Sequence, residues 1–164
     1  MNRDAFLAVM QEALEAIREP RFFKSERGFQ GQLLAMLQAR LPEAGFPGDP
    51  IIEQEHQKRM RAHKIKIRPD LIIHIPFERG TTKHRRSGNF VAIEIKRRSA
   101  NVPKAFESLR KISEALDYWL TVFININCQQ THANLCPASI AQRTVCFAVR
   151  LEDGVPVVRI QACG

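Results

Sequence analysis

The chain has 164 residues and a mass of 18.7 kDa, enough to bury one core and short for two, so a single domain over residues 1–164 is expected. Hydrophobic residues at 45% and charged residues at 26% exclude a disordered composition. No apolar run reaches the length of a membrane span, so no signal peptide, anchor or membrane partner is expected. The four cysteines all lie in the last third with no CxxC pair, too sparse for a disulfide scaffold and pointing to a reducing, cytoplasmic setting.

The net charge of +8 is unevenly placed. Fourteen of the 25 Lys and Arg residues lie between Lys58 and Lys104, against three of the 17 acids, Asp70, Glu78 and Glu94. Such a stretch attracts polyanions by neutralising phosphates and releasing their counterions. A solvated, solubilising face would have the same composition.

Residues 4–18 place Phe6, Val9, Met10, Ala13, Leu14 and Ile17 at helical spacing, and Pro20 closes the pattern. Ser25 is suited to cap a second helix reaching Leu41, with Phe29, Leu33, Leu34 and Leu37 as its apolar stripe. Glu26 and Gln30 extend that stripe and are expected to face the protein. The Gly/Pro-rich segment 42–50 reads as a connection. A weak strand is expected over 51–57, followed by an irregular basic segment. Strands over 70–75 and 90–96 are rich in β-branched residues, and the polar, basic link 77–89 reads as a long hairpin loop. Pro103 opens a helix expected to run to Trp119, and 121–126 is another apolar strand. Strands over 144–150 and 155–160 flank Asp153-Gly154, a hairpin turn signal. The order ααβββαβ plus a C-terminal β-hairpin predicts an α/β domain with a mixed β-sheet flanked by helices.

Chemistry concentrates in the middle. Glu94 and Lys96 lie two apart in a strand, so both emerge on one face. Their neighbours Val91, Ile93 and Ile95 mark that strand as buried, where a carboxylate and an ammonium are costly unless paired or ligated. Asp70 opens the preceding strand, and an antiparallel register with His74 opposite Phe90 sets Asp70 opposite Glu94. A divalent cation between the two carboxylates would resolve their repulsion. The plain alternative is a satisfied ion pair on a half-exposed strand.

The segments Arg68-Pro69-Asp70-Leu71-Ile72-Ile73 and Val91-Ala92-Ile93-Glu94-Ile95-Lys96 resemble the PD-(D/E)xK nuclease superfamily, with its restriction-endonuclease-like fold. The resemblance covers roughly the middle two-thirds, in which the order helix, three antiparallel strands, helix, strand recurs. It implies a metal-dependent nuclease, most simply a DNA endonuclease, using Mg2+ or Mn2+. Asp70, Glu94 and the carbonyl of Ile95 would bind the metal as hard oxygen ligands, and Lys96 would orient the attacking water and neutralise developing charge. Glu26 matches a glutamate that members carry before the first strand; the helix macrodipole alone would also favour an acid there. Glu53 or Glu55 matches an acid frequent in the first core strand.

Arg85, Arg86, Arg97 and Arg98 are the expected phosphate contacts around the site, with Lys58 and Arg59 in a second rail continuing through Arg61, Lys64 and Lys66. The expected partner is nucleic acid, DNA first. Cutting both strands of a duplex would call for a homodimer or a partner subunit. A non-catalytic nucleic-acid- or protein-binding member of the fold is the alternative reading. Cys128, His132 and Cys136 recur every four residues, as soft metal ligands would on a helix, but they lack a fourth ligand and run into Pro137. His74 shares the Asp70 face of its strand, where a packed core histidine is the simpler expectation.

Overall fold

The computed structural model describes residues 2–54, 67–76 and 88–164. Helix α1 (Arg3–Glu15) starts at Asn2, whose side-chain oxygen accepts from the backbone N–H groups of Asp4 and Ala5. This satisfies donors that a helix start leaves orphaned. Helix α2 (Glu26–Arg40) is capped by Ser25, which accepts from the N–H of Gly28 at 3.0 Å. Between them Pro20–Lys24 forms a 3-10 turn that the proline signal alone did not foretell. Both helices bury their apolar stripes, Phe6, Met10 and Leu14 with Phe29, Leu33 and Leu37, against one face of the sheet.

The sheet has six strands in sequence order: β1 (Ile51–Gln54), β2 (Leu71–His74), β3 (Asn89–Arg97), β4 (Leu120–Ile126), β5 (Thr144–Glu152) and β6 (Val155–Ala162). The β1–β2, β2–β3 and β5–β6 pairs are antiparallel, whereas β3–β4 and β4–β5 are parallel. Parallel neighbours need a long crossover, and helix α3 (Val102–Leu116) supplies the one between β3 and β4. Its Val102, Phe106, Leu109, Ile112 and Leu116 close the opposite face of the sheet over Ile72, Ala92 and Phe123. With both faces covered, β4 is buried along its whole length, apolar but for Thr121 and Asn125. Leu109 is fully buried, and Leu109→Ala would cost about 2–5 kcal/mol.

Two expected boundaries move. Helix α3 stops at Leu116 because Asp117 takes a left-handed conformation (φ 53°) and its N–H returns to the carbonyl of Ser113. Trp119 therefore lies outside the helix and is half exposed. The β2–β3 register pairs Leu71 with Ile93 and Ile73 with Val91, then slips, so that His74 faces Asn89 rather than Phe90. The slip is confined to that end, and the alignment that brings Asp70 to Glu94 is kept. At the β5–β6 turn, Asp153 and Gly154 both have positive φ, the backbone a two-residue hairpin demands. No helix among the described residues is long and apolar enough to cross a membrane.

Candidate active site

Four side chains from three segments meet at the carboxyl end of β3. Asp70 stands immediately before β2, Glu94 and Lys96 on β3, and Glu26 in the first turn of α2. With Arg68, Asn101, Lys104 and Ser108 they line a cavity of about 270 Å³. The ammonium of Lys96 is the centre of the group: its Nζ lies 3.4 Å from Glu94 Oε2, 3.7 Å from Glu26 Oε2 and 3.9 Å from Asp70 Oδ2. It also donates to the carbonyl of Ile95 at 2.9 Å.

Backbone groups fix the acids. Ile95 N–H donates to Asp70 Oδ2 at 2.7 Å, and Arg97 N–H donates to Glu26 Oε1 at 3.0 Å. Gln30, buried one turn into α2, donates its side-chain amide to the carbonyl of Asp70 at 2.6 Å. The apolar stripe of α2 thus carries two polar residues toward the protein because both have partners there.

The electrostatics are those of crowded carboxylates. Glu94 is 6% exposed. Burial, and then the charge of Asp70, push its carboxyl up to about 8, against the lowering effect of Lys96, while a hydrogen bond to Asp70 also favours the protonated form. For Lys96, burial disfavours the ammonium, but the charges of Glu94, Asp70 and Glu26 outweigh it and raise its pKa. Three acids around one ammonium leave excess negative charge, and Glu94 relieves it by holding a proton.

That arrangement fits a hard divalent cation. The side chains facing the ammonium are all carboxylates, which suits Mg2+ or Mn2+ better than a soft metal. A cation between Asp70 and Glu94 would take the place of the Glu94 proton. Among the described residues no three His, Cys, Asp or Glu side chains are grouped to hold a metal ion. A site here would therefore rest on two carboxylates and the Ile95 carbonyl, a sparse set of the kind with which Mg2+ keeps several of its waters.

The remaining expected residues divide. Arg97 presents its backbone N–H to Glu26, but its side chain leaves the strand on the face opposite Lys96, with Nε buried and without a hydrogen-bond partner among the described residues. Arg98 is exposed in the turn after β3 with φ 52°. Neither lines the cavity. Lys58, Arg59, Arg61, Lys64, Lys66, Arg85 and Arg86, like Glu55, lie outside the described residues. Glu53 is on β1 and bonds His74 Nε2 at 2.7 Å instead of joining the cavity, and His74 is buried. The Cys128, His132, Cys136 spacing is not helical here. His132 bonds Ser99 Oγ at 2.7 Å from a left-handed residue, and the Cys136 thiol donates to the Pro137 carbonyl at 3.8 Å.

Asn101, Lys104 and Ser108 belong to the cavity without having been singled out by sequence. The signal was available: Pro103 opens a helix directly after the strand that ends in Lys96, so the first turns of α3 had to stand over that strand's end. Comparison with known proteins returns nothing: no family model, no curated protein and no solved structure matches this chain.

Proposed function

We propose that the chain is a Mg2+- or Mn2+-dependent nuclease of the PD-(D/E)xK kind that hydrolyses phosphodiester bonds of DNA as an endonuclease. The observation that carries this reading is the Lys96 ammonium held within 4 Å of Glu26, Asp70 and Glu94. The succession α2, β1, β2, β3, α3, β4 supports it, because the resemblance in the Asp70 and Glu94-Lys96 segments implies that order.

Asp70, Glu94 and the Ile95 carbonyl would hold the metal, which when bound supplies Lewis acidity for the scissile phosphate and lowers the pKa of the attacking water. The chain's own groups do the positioning. Lys96 stays charged beside the acids, orients the water and stabilises negative charge developing on the phosphate oxygens. Glu26 holds that ammonium from the α2 side and ties the backbone at Arg97 in place. Arg68 and Lys104 at the cavity edge offer positive charge to the phosphates on either side of the bond to be cut.

A module that only bound nucleic acid would have no use for three carboxylates in a basic field, which favours the enzyme over the binding-only alternative. The test is cleavage of mixed DNA substrates with Mg2+ or Mn2+ by wild type, Asp70→Ala and Lys96→Ala. Cutting by the wild type alone, with all three folded, supports the mechanism. Cutting unaffected by both substitutions sinks it.

A further inference from the structure

A second cavity, of about 660 Å³, lies on the far side of the parallel strands, walled by Gln130, Thr131, His132 and Asn134 of the β4–β5 connection and by Arg159 and Gln161 of β6. Its position relative to the candidate active site follows from the register. Lys96 pairs with Asn125, Asn125 with Ala148, and Ala148 with Arg159. Directly paired residues point to the same face of a sheet, so Lys96 and Arg159 stand at the two ends of one row across four strands. Three strand spacings separate them by roughly 14 Å.

Asn125, in that row, anchors a set of hydrogen-bonded groups beside it. Asn125 is fully buried. Its amide nitrogen donates to the Gln130 carbonyl at 2.9 Å and to Ser99 Oγ at 3.3 Å, and its amide oxygen accepts from Ser99 N–H at 3.1 Å. His132 closes the circuit on Ser99 Oγ. The wall of the second cavity is thereby tied to the turn that leads from Lys96 to Asn101, so the two cavities hold a fixed separation.

We propose that this second cavity binds a nucleotide of the same polynucleotide strand, a few residues from the bond cut at Lys96. Arg159 takes its phosphate, and the side-chain amides take its base edge. This inference rests on the nuclease reading of the first cavity and names where its substrate extends. The wall chemistry selects the ligand class. Side-chain amides offer donors and acceptors together, as base edges require, whereas an acidic peptide would call for several Lys or Arg side chains and finds one among the described residues of the wall, Arg159.

The test measures binding apart from cleavage. Fluorescein-labelled oligonucleotides of graded length are titrated against the full chain in EDTA, followed by anisotropy at several salt concentrations. Arg159→Ala is expected to weaken binding of the longer oligonucleotides about tenfold and to reduce the salt slope by about one, removing the gain in affinity with length. Asn134→Ala should flatten preferences among oligonucleotides differing at one base. Arg18→Ala, an exposed charge beyond the end of α1, should do neither. If Arg159→Ala behaves like Arg18→Ala, or if no oligonucleotide binds, the proposal is overturned. Arg159-dependent binding without cutting in Mg2+ keeps this cavity's role and removes the nuclease reading. Cutting indifferent to Arg159 does the reverse.

Discussion

The backbone N–H of Ile95 donates to Oδ2 of Asp70 at 2.7 Å, so the strand that carries Glu94 and Lys96 also orients the acid that faces them. The bond is charge-assisted and only partly exposed, the stronger kind of hydrogen bond. It fixes one carboxylate oxygen of Asp70 against the backbone of β3, beside Glu94 and Lys96. Asp70→Asn keeps an oxygen to accept from Ile95 and removes the charge. The variant is expected to fold with a melting temperature near that of wild type while its affinity for Mn2+ falls at least tenfold. Calorimetric titration with Mn2+ beside thermal unfolding checks this, and an unchanged affinity would contradict the assignment of Asp70 as a ligand.

Glu94 carries a proton up to about pH 8, and a cation bound at its carboxylate must displace it. Metal affinity should therefore rise about tenfold per pH unit up to pH 8 and level off above. Binding at pH 7 should release close to one proton. Titrations in two buffers of different ionisation enthalpy report that number directly, and the absence of proton release at pH 7 would place the metal away from Glu94.

The same proton sets a stability profile without metal. The folded chain holds it more tightly than the unfolded chain, whose Glu94 returns to the ordinary value of 4.5. This group's contribution to stability is thus fully present below about pH 4.5, is lost as pH rises through about 8, and then stays flat. Glu94→Gln removes that decline. It should melt close to wild type at pH 5 and several degrees above it at pH 9. A constant difference between the two proteins across this range would mean that the carboxyl ionises normally.

Much of this site was legible before any coordinates. Glu94 and Lys96 are locked to one face by strand periodicity, and Asp70 meets them because Pro69 and the β-branched run of 71–73 fix where β2 begins. Gln30 and Glu26 were marked by lying on an apolar stripe. The fate of Arg97 was not legible as a set of contacts: alternation puts it on the opposite face, but its pairing to Glu26 runs through the backbone, which no side-chain pattern records. Glu53 was ambiguous for a related reason. Its partner, His74, lies on a neighbouring strand, and only the register brings them together. The end of α3 escaped the periodicity because Leu120 continues the apolar spacing, while the left-handed turn at Asp117 leaves no apolar signature. The second cavity was invisible because Lys96, Asn125, Ala148 and Arg159 are linked by strand pairing, not by spacing.

On the proposed nuclease reading, Glu26 would act through Lys96 and the backbone, so its removal should act on the position of the ammonium. Glu26→Gln keeps an acceptor for Arg97 N–H and loses the charge that faces Lys96 at 3.7 Å. The expected result is a fall in kcat of about 10–100-fold with KM little changed, because substrate phosphates do not depend on it. Glu26→Ala should lose more, since the Arg97 N–H is also left without its acceptor. Equal effects of the two substitutions would mean that the carboxylate charge does nothing beyond accepting that one hydrogen bond.

Tyr118, just past the end of α3, is fully buried and its hydroxyl has no hydrogen-bond partner among the described residues. Burial, and then the charge of Glu53, push its pKa well above the usual phenol value, so the hydroxyl is neutral at every pH of interest. A buried donor without a partner loses its hydrogen bonds to water and gains none. Tyr118→Phe keeps the ring in its place between α3 and the sheet and removes the orphan group. It should stabilise the fold by about 1 kcal/mol, seen as a rise of a few degrees in melting temperature. The gain should be the same with and without Mg2+, because Tyr118 does not line the cavity around Lys96. A loss of stability on this substitution would mean that the hydroxyl is satisfied by an ordered water.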